Sequence, residues 1–85
     1  MNNSQVLKAF YACRAGSSSN GAFSTDGNSL YSYRLRIATH TGNEIIVGDY
    51  TASGTYYSQT TSKHVGYARG LRSARVISAT EFEAI

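Results

Sequence analysis

The run Ser58-Gln59-Thr60-Thr61-Ser62-Lys63-His64 gathers hydroxyls and a cation where helical spacing is about to begin. A helix start leaves N–H groups unpaired and carries a partial positive charge, so Thr60, Thr61, Ser62 and Lys63 are candidates for an anion or phosphate seat. The same residues also serve as an ordinary N-cap worth about 1 kcal/mol, with the other hydroxyls in solvent. Tyr56 and Tyr57 are adjacent, so in extended chain one of them faces outward. An outward ring near Lys63 can stack on a base or fill a partner's pocket. Arg34 and Arg36 would stand about 7 Å apart on one face of a strand. That spacing is near the separation of successive phosphates, although exposed strands also carry arginines simply to guard against edge pairing.

The remaining reactive side chains point away from catalysis. Cys13 is the only cysteine, which removes an internal disulfide and a thiolate metal cluster and fits a reducing compartment. His64 falls between Val65 and Tyr67 near the middle of the apolar side of its helix, the position of a packed histidine. His40 lies near a hairpin turn, and nothing in the spacing brings it to Cys13. Asp26 and Asp49 read as turn and strand-end residues, and so few carboxylates leave no metal site. No catalytic residue and no cofactor are expected.

The elements that position these residues follow from periodicity. Gln5 to Cys13 satisfies helical spacing at Val6, Ala9, Phe10 and Cys13, with Ser4 as N-cap, but the β preference of Val6, Phe10 and Tyr11 favours a strand. Gly16 to Asn20 reads as a mobile Gly/Ser/Asn loop. Asp26-Gly27 marks a tight hairpin turn, Leu30 to Ala38 alternates as a half-buried strand with Tyr31 and Tyr33 inward, and Thr41-Gly42-Asn43 turns the chain into Glu44 to Tyr50. Thr55-Tyr56-Tyr57 extends the sheet. From Thr60 onward Val65, Ala68 and Leu71 share one helical side, opposite Lys63, Gly66, Arg69 and Gly70. Arg69, Arg72 and Arg75 complement the end of that helix, Ala74 to Ile77 is a last strand, and Thr80 to Ile85 carries little order. The fold class is therefore α+β: one domain over 1–85, with a small antiparallel sheet of three or four strands and one amphipathic helix packed on it.

Length and composition set the limits. At 85 residues the chain buries roughly 60 to 65% of its unfolded surface, enough for one modest core, and stability can lean on homo-oligomerisation or a partner. Eight Lys plus Arg against five Asp plus Glu give a formal charge of +3, a weak preference for anionic partners. The polar start, without an apolar run near the roughly 20 residues that cross a bilayer, predicts a soluble, cytoplasmic protein with no membrane partner. Seven tyrosines without tryptophan suit interfaces, since each ring pairs an apolar body with a polar tip.

Three blocks carry a resemblance: Ser24-Thr25-Asp26-Gly27-Asn28-Ser29-Leu30-Tyr31-Ser32-Tyr33, then Val47-Gly48-Asp49-Tyr50-Thr51-Ala52-Ser53-Gly54, then Ser58-Gln59-Thr60-Thr61-Ser62-Lys63-His64-Val65. In this order they resemble a family of small uncharacterised tailed-bacteriophage proteins. The resemblance implies an infected bacterial cytoplasm and an accessory, counter-defence role by stoichiometric binding, and it transfers no catalytic residue. With the charge and the candidate seat, the expected ligand is nucleic acid or a nucleotide. The alternative is a protein-binding inhibitor of a host defence complex such as a CRISPR effector.

Overall fold

In the computed structural model, which describes residues 1–85, the chain runs α1 (Asn3–Tyr11), β1 (Ala15–Ser17), β2 (Phe23–Asp26), β3 (Ser29–Ser32), β4 (Leu35–Thr41), β5 (Glu44–Asp49), α2 (Gln59–Arg69), β6 (Ala74–Ser78) and α3 (Ala79–Glu83). The six strands lie side by side in sequence order. Four antiparallel pairings form a meander from β1 to β5, and β6 joins β5 in parallel after the chain has crossed over through α2. The fold is α+β as expected, but the sheet is mixed and has six strands where three or four were read, and there are three helices.

Gly27 at φ +100 and Gly42 at φ +59 supply the left-handed turn conformations that close the β2–β3 and β4–β5 hairpins. In the first, Asp26 Oδ1 accepts the N–H groups of Asn28 and Ser29 at 2.9 and 2.8 Å. The Ser29 bond, then the Asn28 bond, hold the Asp26 carboxyl below its ordinary value of 3.8.

Four sequence expectations are corrected. The first segment is helical because Asn2 and Gln5 cap it reciprocally: Asn2 Oδ1 accepts the Gln5 N–H and Gln5 Oε1 accepts the Asn2 N–H, each at 2.8 Å. That box outweighs the β preference of Val6 and Phe10, and it displaces Ser4 from the cap. The alternation from Leu30 to Ala38 hides a reversal at Tyr33-Arg34, where Tyr33 takes φ 57 and is 52% exposed, so Tyr33 is not a core residue. Beyond it the register slips between Leu30 and Tyr31, leaving Ile37 as the extra residue of a bulge. Ser18, expected in a mobile loop, is buried, and its Oγ accepts the Phe23 N–H at 3.1 Å. The last residues form α3, started by the N-cap Ser78, whose Oγ accepts the Glu81 N–H at 3.2 Å.

The core joins Val6 and Phe10 of α1, Phe23, Leu30, Ile37, Ala38 and Val47 of the sheet, and Val65 and Ala68 of α2. Phe82 of α3 closes the far end of the sheet against Gly48, where an added Cβ would come within 2.8 Å of both the Phe82 and Tyr50 rings. Tyr50 is buried there and donates to Glu83 Oε1 at 3.2 Å. Burial and then the charge of Glu83 push its hydroxyl up to about 12. No helix is long and apolar enough to cross a membrane.

Between α2 and β3, Ser58 Oγ donates to Thr61 Oγ1 at 3.0 Å, Thr61 Oγ1 is 3.0 Å from Ser32 Oγ, and Ser32 Oγ is 2.7 Å from His64 Nδ1. These contacts link Ser58, Thr61, Ser32 and His64 in one continuous hydrogen-bonded chain. His64 also stacks on Phe23, with centroids 4.4 Å apart. Burial first, and the charge of Lys63 second, hold the imidazole below its ordinary 6.5.

Two stability outcomes follow from these contacts. Gly48→Ala forces the Phe82 and Tyr50 rings apart and is expected to lower unfolding free energy by about 1–3 kcal/mol in urea titrations. Because the folded pKa of His64 is depressed, its contribution is complete above 6.5 and is lost as pH falls below that value. The urea midpoint should therefore drop between about pH 7 and pH 5, and His64→Gln should flatten that slope. An equally steep slope in the variant would show that another group carries it.

Candidate functional site

The start of α2 is not arranged as an anion seat. Ser58 is the N-cap, and its Oγ accepts the Thr61 N–H at 3.1 Å. Thr61 is fully buried in the hydroxyl chain, and Ser62 Oγ donates inward to the Tyr50 carbonyl at 3.4 Å. Of the four residues read as a seat, only Thr60 and Lys63 are exposed. Packing against β3 has claimed the hydroxyls that a ligand would need.

Arg34 and Arg36 are also separated. Arg34 sits in the β3–β4 turn, whereas Arg36 pairs across the sheet with Tyr31 and turns toward α3. Its guanidinium donates to the carbonyl oxygens of Phe82 and Ile85 at 3.4 and 2.9 Å and lies 4.8 Å from the Phe82 ring centroid. Arg36 is thus a packing residue that holds the last helix, and the phosphate-spaced pair does not form. Tyr56 and Tyr57 lie in the connection between β5 and α2 and are both exposed; they add no strand.

The distribution of charge points elsewhere. All five carboxylates are engaged: Asp26 in its turn, Glu44 with Arg75 of the neighbouring strand at 3.3 Å, Asp49 with Thr51, Glu81 with Ser78, and Glu83 of α3 with Tyr50 beyond β5. Lys8, Arg14 and Arg72 have no hydrogen-bond or ion-pair partner, and all three line clefts around the outer surface of α1. The main cleft, of about 560 Å³, separates α1 from the end of α2; Leu7 and Leu71 supply apolar walls, and Lys8, Tyr11 and Arg72 supply its polar groups. A second cleft of about 310 Å³ continues it past Ser4 and Leu7 to Tyr67. No Asp or Glu lines either one. The arrangement is a groove with two partly exposed tyrosines and unopposed cations, suited to a ligand with flat rings and negative charge.

At one end of that groove the fold makes a pairing that spacing alone does not indicate. Cys13 Sγ lies 3.6 Å from His40 Nε2, and the same nitrogen is 2.7 Å from the Phe10 carbonyl oxygen. The carbonyl only accepts, so Nε2 carries the proton and donates it to the Phe10 oxygen, and the sulfur is a longer neighbour of the same N–H. The Phe10 ring lies against the imidazole, with centroids 4.6 Å apart. Cys13 owes its place to the end of α1: its N–H donates to the Phe10 carbonyl at 3.0 Å and the Arg14 N–H donates to the Ala9 carbonyl at 2.7 Å, the paired bonds of a Schellman motif. The residue at that corner needs a left-handed backbone, and Cys13 adopts φ 59. Glycine is the usual occupant, and its absence from the sequence concealed both the helix end and the thiol's position.

A model described as a family of unknown function (DUF8033) matches residues 2–84, and the chain belongs to that family. No curated protein and no solved structure matches it.

The corner at Cys13 carries a measurable cost. A side chain in the left-handed region costs about 1–2 kcal/mol, part of which glycine would return as extra freedom of the unfolded chain. Cys13→Gly should therefore stabilise the protein by up to about 1 kcal/mol, a rise of a few degrees in melting temperature. A lower melting temperature for the variant would mean that the sulfur's contact with His40 outweighs the backbone strain.

Proposed function

We propose that this DUF8033 member acts without catalysis, by binding a single-stranded nucleic acid or a nucleotide in the groove between α1 and α2. The observation that carries the reading is the segregation of charge: every carboxylate is engaged away from the groove, while Lys8 and Arg72 line it unpaired. Tyr11 and Tyr67 are 44% and 38% exposed along the same groove, enough ring surface to take a stacked base. The cations then meet phosphates, and the apolar walls of Leu7 and Leu71 exclude water from the stack. This assignment moves the ligand from the α2 start to the α1 face, with Arg14 at the adjoining cleft as a further phosphate contact.

As part of the same proposal, the setting is an infected bacterial cytoplasm and the role is counter-defence, a reading that rests only on the resemblance of the three sequence blocks to small tailed-phage proteins. A second reading, an inhibitor that docks on a host protein complex, draws on Tyr33, Tyr56 and Tyr57, whose rings are exposed outside the groove.

Fluorescence anisotropy with a labelled single-stranded oligonucleotide, across a salt series, tests the leading reading. Binding should weaken linearly in log–log form with salt, and Lys8→Gln with Arg72→Gln should reduce the slope by about 1.4, the value for two phosphate contacts on a single strand. Arg36→Gln should leave the slope unchanged. No binding at low salt, or a slope unaffected by the double substitution, would remove nucleic acid from the account; a salt-tolerant complex with one host protein would favour the inhibitor.

A further inference from the structure

On the reading of the α1–α2 groove as a nucleic-acid site, we infer that it takes a dinucleotide unit, with one base on Tyr67, the next on Tyr11 and no place for a third. Tyr67 and Tyr11 are the only aromatic side chains that line the two clefts of the groove, and they stand at opposite ends of it. Tyr67 faces α1 at Asn3, Ser4 and Leu7, close to the start of the helix, whereas Tyr11 is its last residue and shares its end of the groove with Arg72. At 1.5 Å per residue, the stretch of α1 from Ser4 to Tyr11 is about 10 Å long. Bases along a stacked strand step about 3.4 Å, so two of them fill the space between two rings about 10 Å apart.

The two ends differ in chemistry. The Tyr67 ring is already held in place, with Phe23 edge-on at 6.2 Å and the His64 ring at 6.3 Å between centroids, so it meets a base as a fixed platform. Asn3 and Ser4 flank it, an amide and a hydroxyl suited to the edge of the base that stacks there. Lys8 follows Ser4 by one turn and precedes Tyr11 by one, on the same side of α1, which places a cation between the two bases, where their linking phosphate lies. Arg72 stands beside Tyr11 for a phosphate beyond the second base. Modules that coat single strands engage about 4–16 nucleotides on a longer series of rings. With two rings and two cations, this groove binds a short unit and does not coat a strand.

Titration calorimetry on the whole protein at about 0.15 M salt, where charges more than about 8 Å apart are largely screened, compares deoxyadenosine monophosphate with the 5′-phosphorylated deoxyadenosine dinucleotide and tetranucleotide. The dinucleotide should bind about fivefold to a hundredfold more tightly than the mononucleotide, the gain from one further stacked base. The tetranucleotide should stay within about threefold of the dinucleotide, the statistical factor for its additional registers. Tyr11→Leu should bring the dinucleotide down to the affinity of the mononucleotide, and Tyr11→Phe, which keeps the ring, should restore the difference. Tyr67→Leu should act in the same way; because Tyr67 also packs on Phe23, the Tyr11 pair decides alone if that variant does not fold. A mononucleotide that binds as tightly as the dinucleotide, a tetranucleotide that gains more than about tenfold over it, or a dinucleotide indifferent to Tyr11→Leu would each overturn the two-base site while the groove reading stands. Absence of binding at all three lengths would overturn both. A tetranucleotide much weaker than the dinucleotide would support the two-base site and identify the free dinucleotide, as opposed to a segment of strand, as its ligand.

Discussion

The hydroxyl chain from Ser58 through Thr61 and Ser32 to His64 is the constraint around which the rest is arranged. The crossover from β5 to β6 must carry α2 across the sheet, and an apolar face alone would allow it to slide or rotate. The three buried members, Thr61, Ser32 and His64, cannot be left unpaired without a cost of about 1–3 kcal/mol each, so they fix one rotation and one height for the helix over β3. No buried side-chain nitrogen or oxygen lacks a partner. Phe23 completes the register by stacking on the imidazole, and the lowered pKa of His64 follows from the same burial.

That anchor determines which surface remains for ligands. By turning Thr61 and Ser62 inward, it closes the α2 start, and by giving α2 its position, it opens the groove toward α1. Arg36 is removed from the surface in a similar way, since its donors are taken by the main chain at the end of α3. The acids meanwhile serve turns, caps and one ion pair. What is left over is cationic: Lys8, Arg14 and Arg72 lie around α1, while Arg34, Lys63 and Arg69 lie in the β3–β4 turn and on α2. Within the groove itself Lys8 and Arg72 face no acid, so the local balance there is positive as the net charge of +3 is.

The two glycine hairpins are legible in the sequence because each puts a residue free of Cβ strain between alternating runs, and local chemistry there agrees with the final fold. The amphipathic α2 is legible for the same reason: Val65 and Ala68 are buried as their spacing requires. The Tyr33-Arg34 reversal is not, since no glycine or asparagine marks it and the alternation on either side continues unbroken. The helical state of α1 was written in Asn2 and Gln5, a capping-box pattern that β propensity obscured. The groove itself and the Cys13–His40 contact depend on packing between segments far apart in the chain, 27 residues in the second case, and no local pattern encodes them.

Cys13 shows how these levels meet. A helix that ends in a Schellman motif calls for glycine, and a small core gains from every relaxed corner. Here the corner holds a side chain, with the backbone strained and the sulfur directed toward an imidazole whose other hydrogen bond is already made. The same bond that ties β4 to the end of α1 therefore also sets what His40 can do for the thiol: with its Nε2 proton given to the Phe10 carbonyl, that nitrogen cannot accept the proton of the sulfur. The geometry that closes the helix thus places the thiol at the end of the groove, where Tyr11 and Arg72 belong to both clefts.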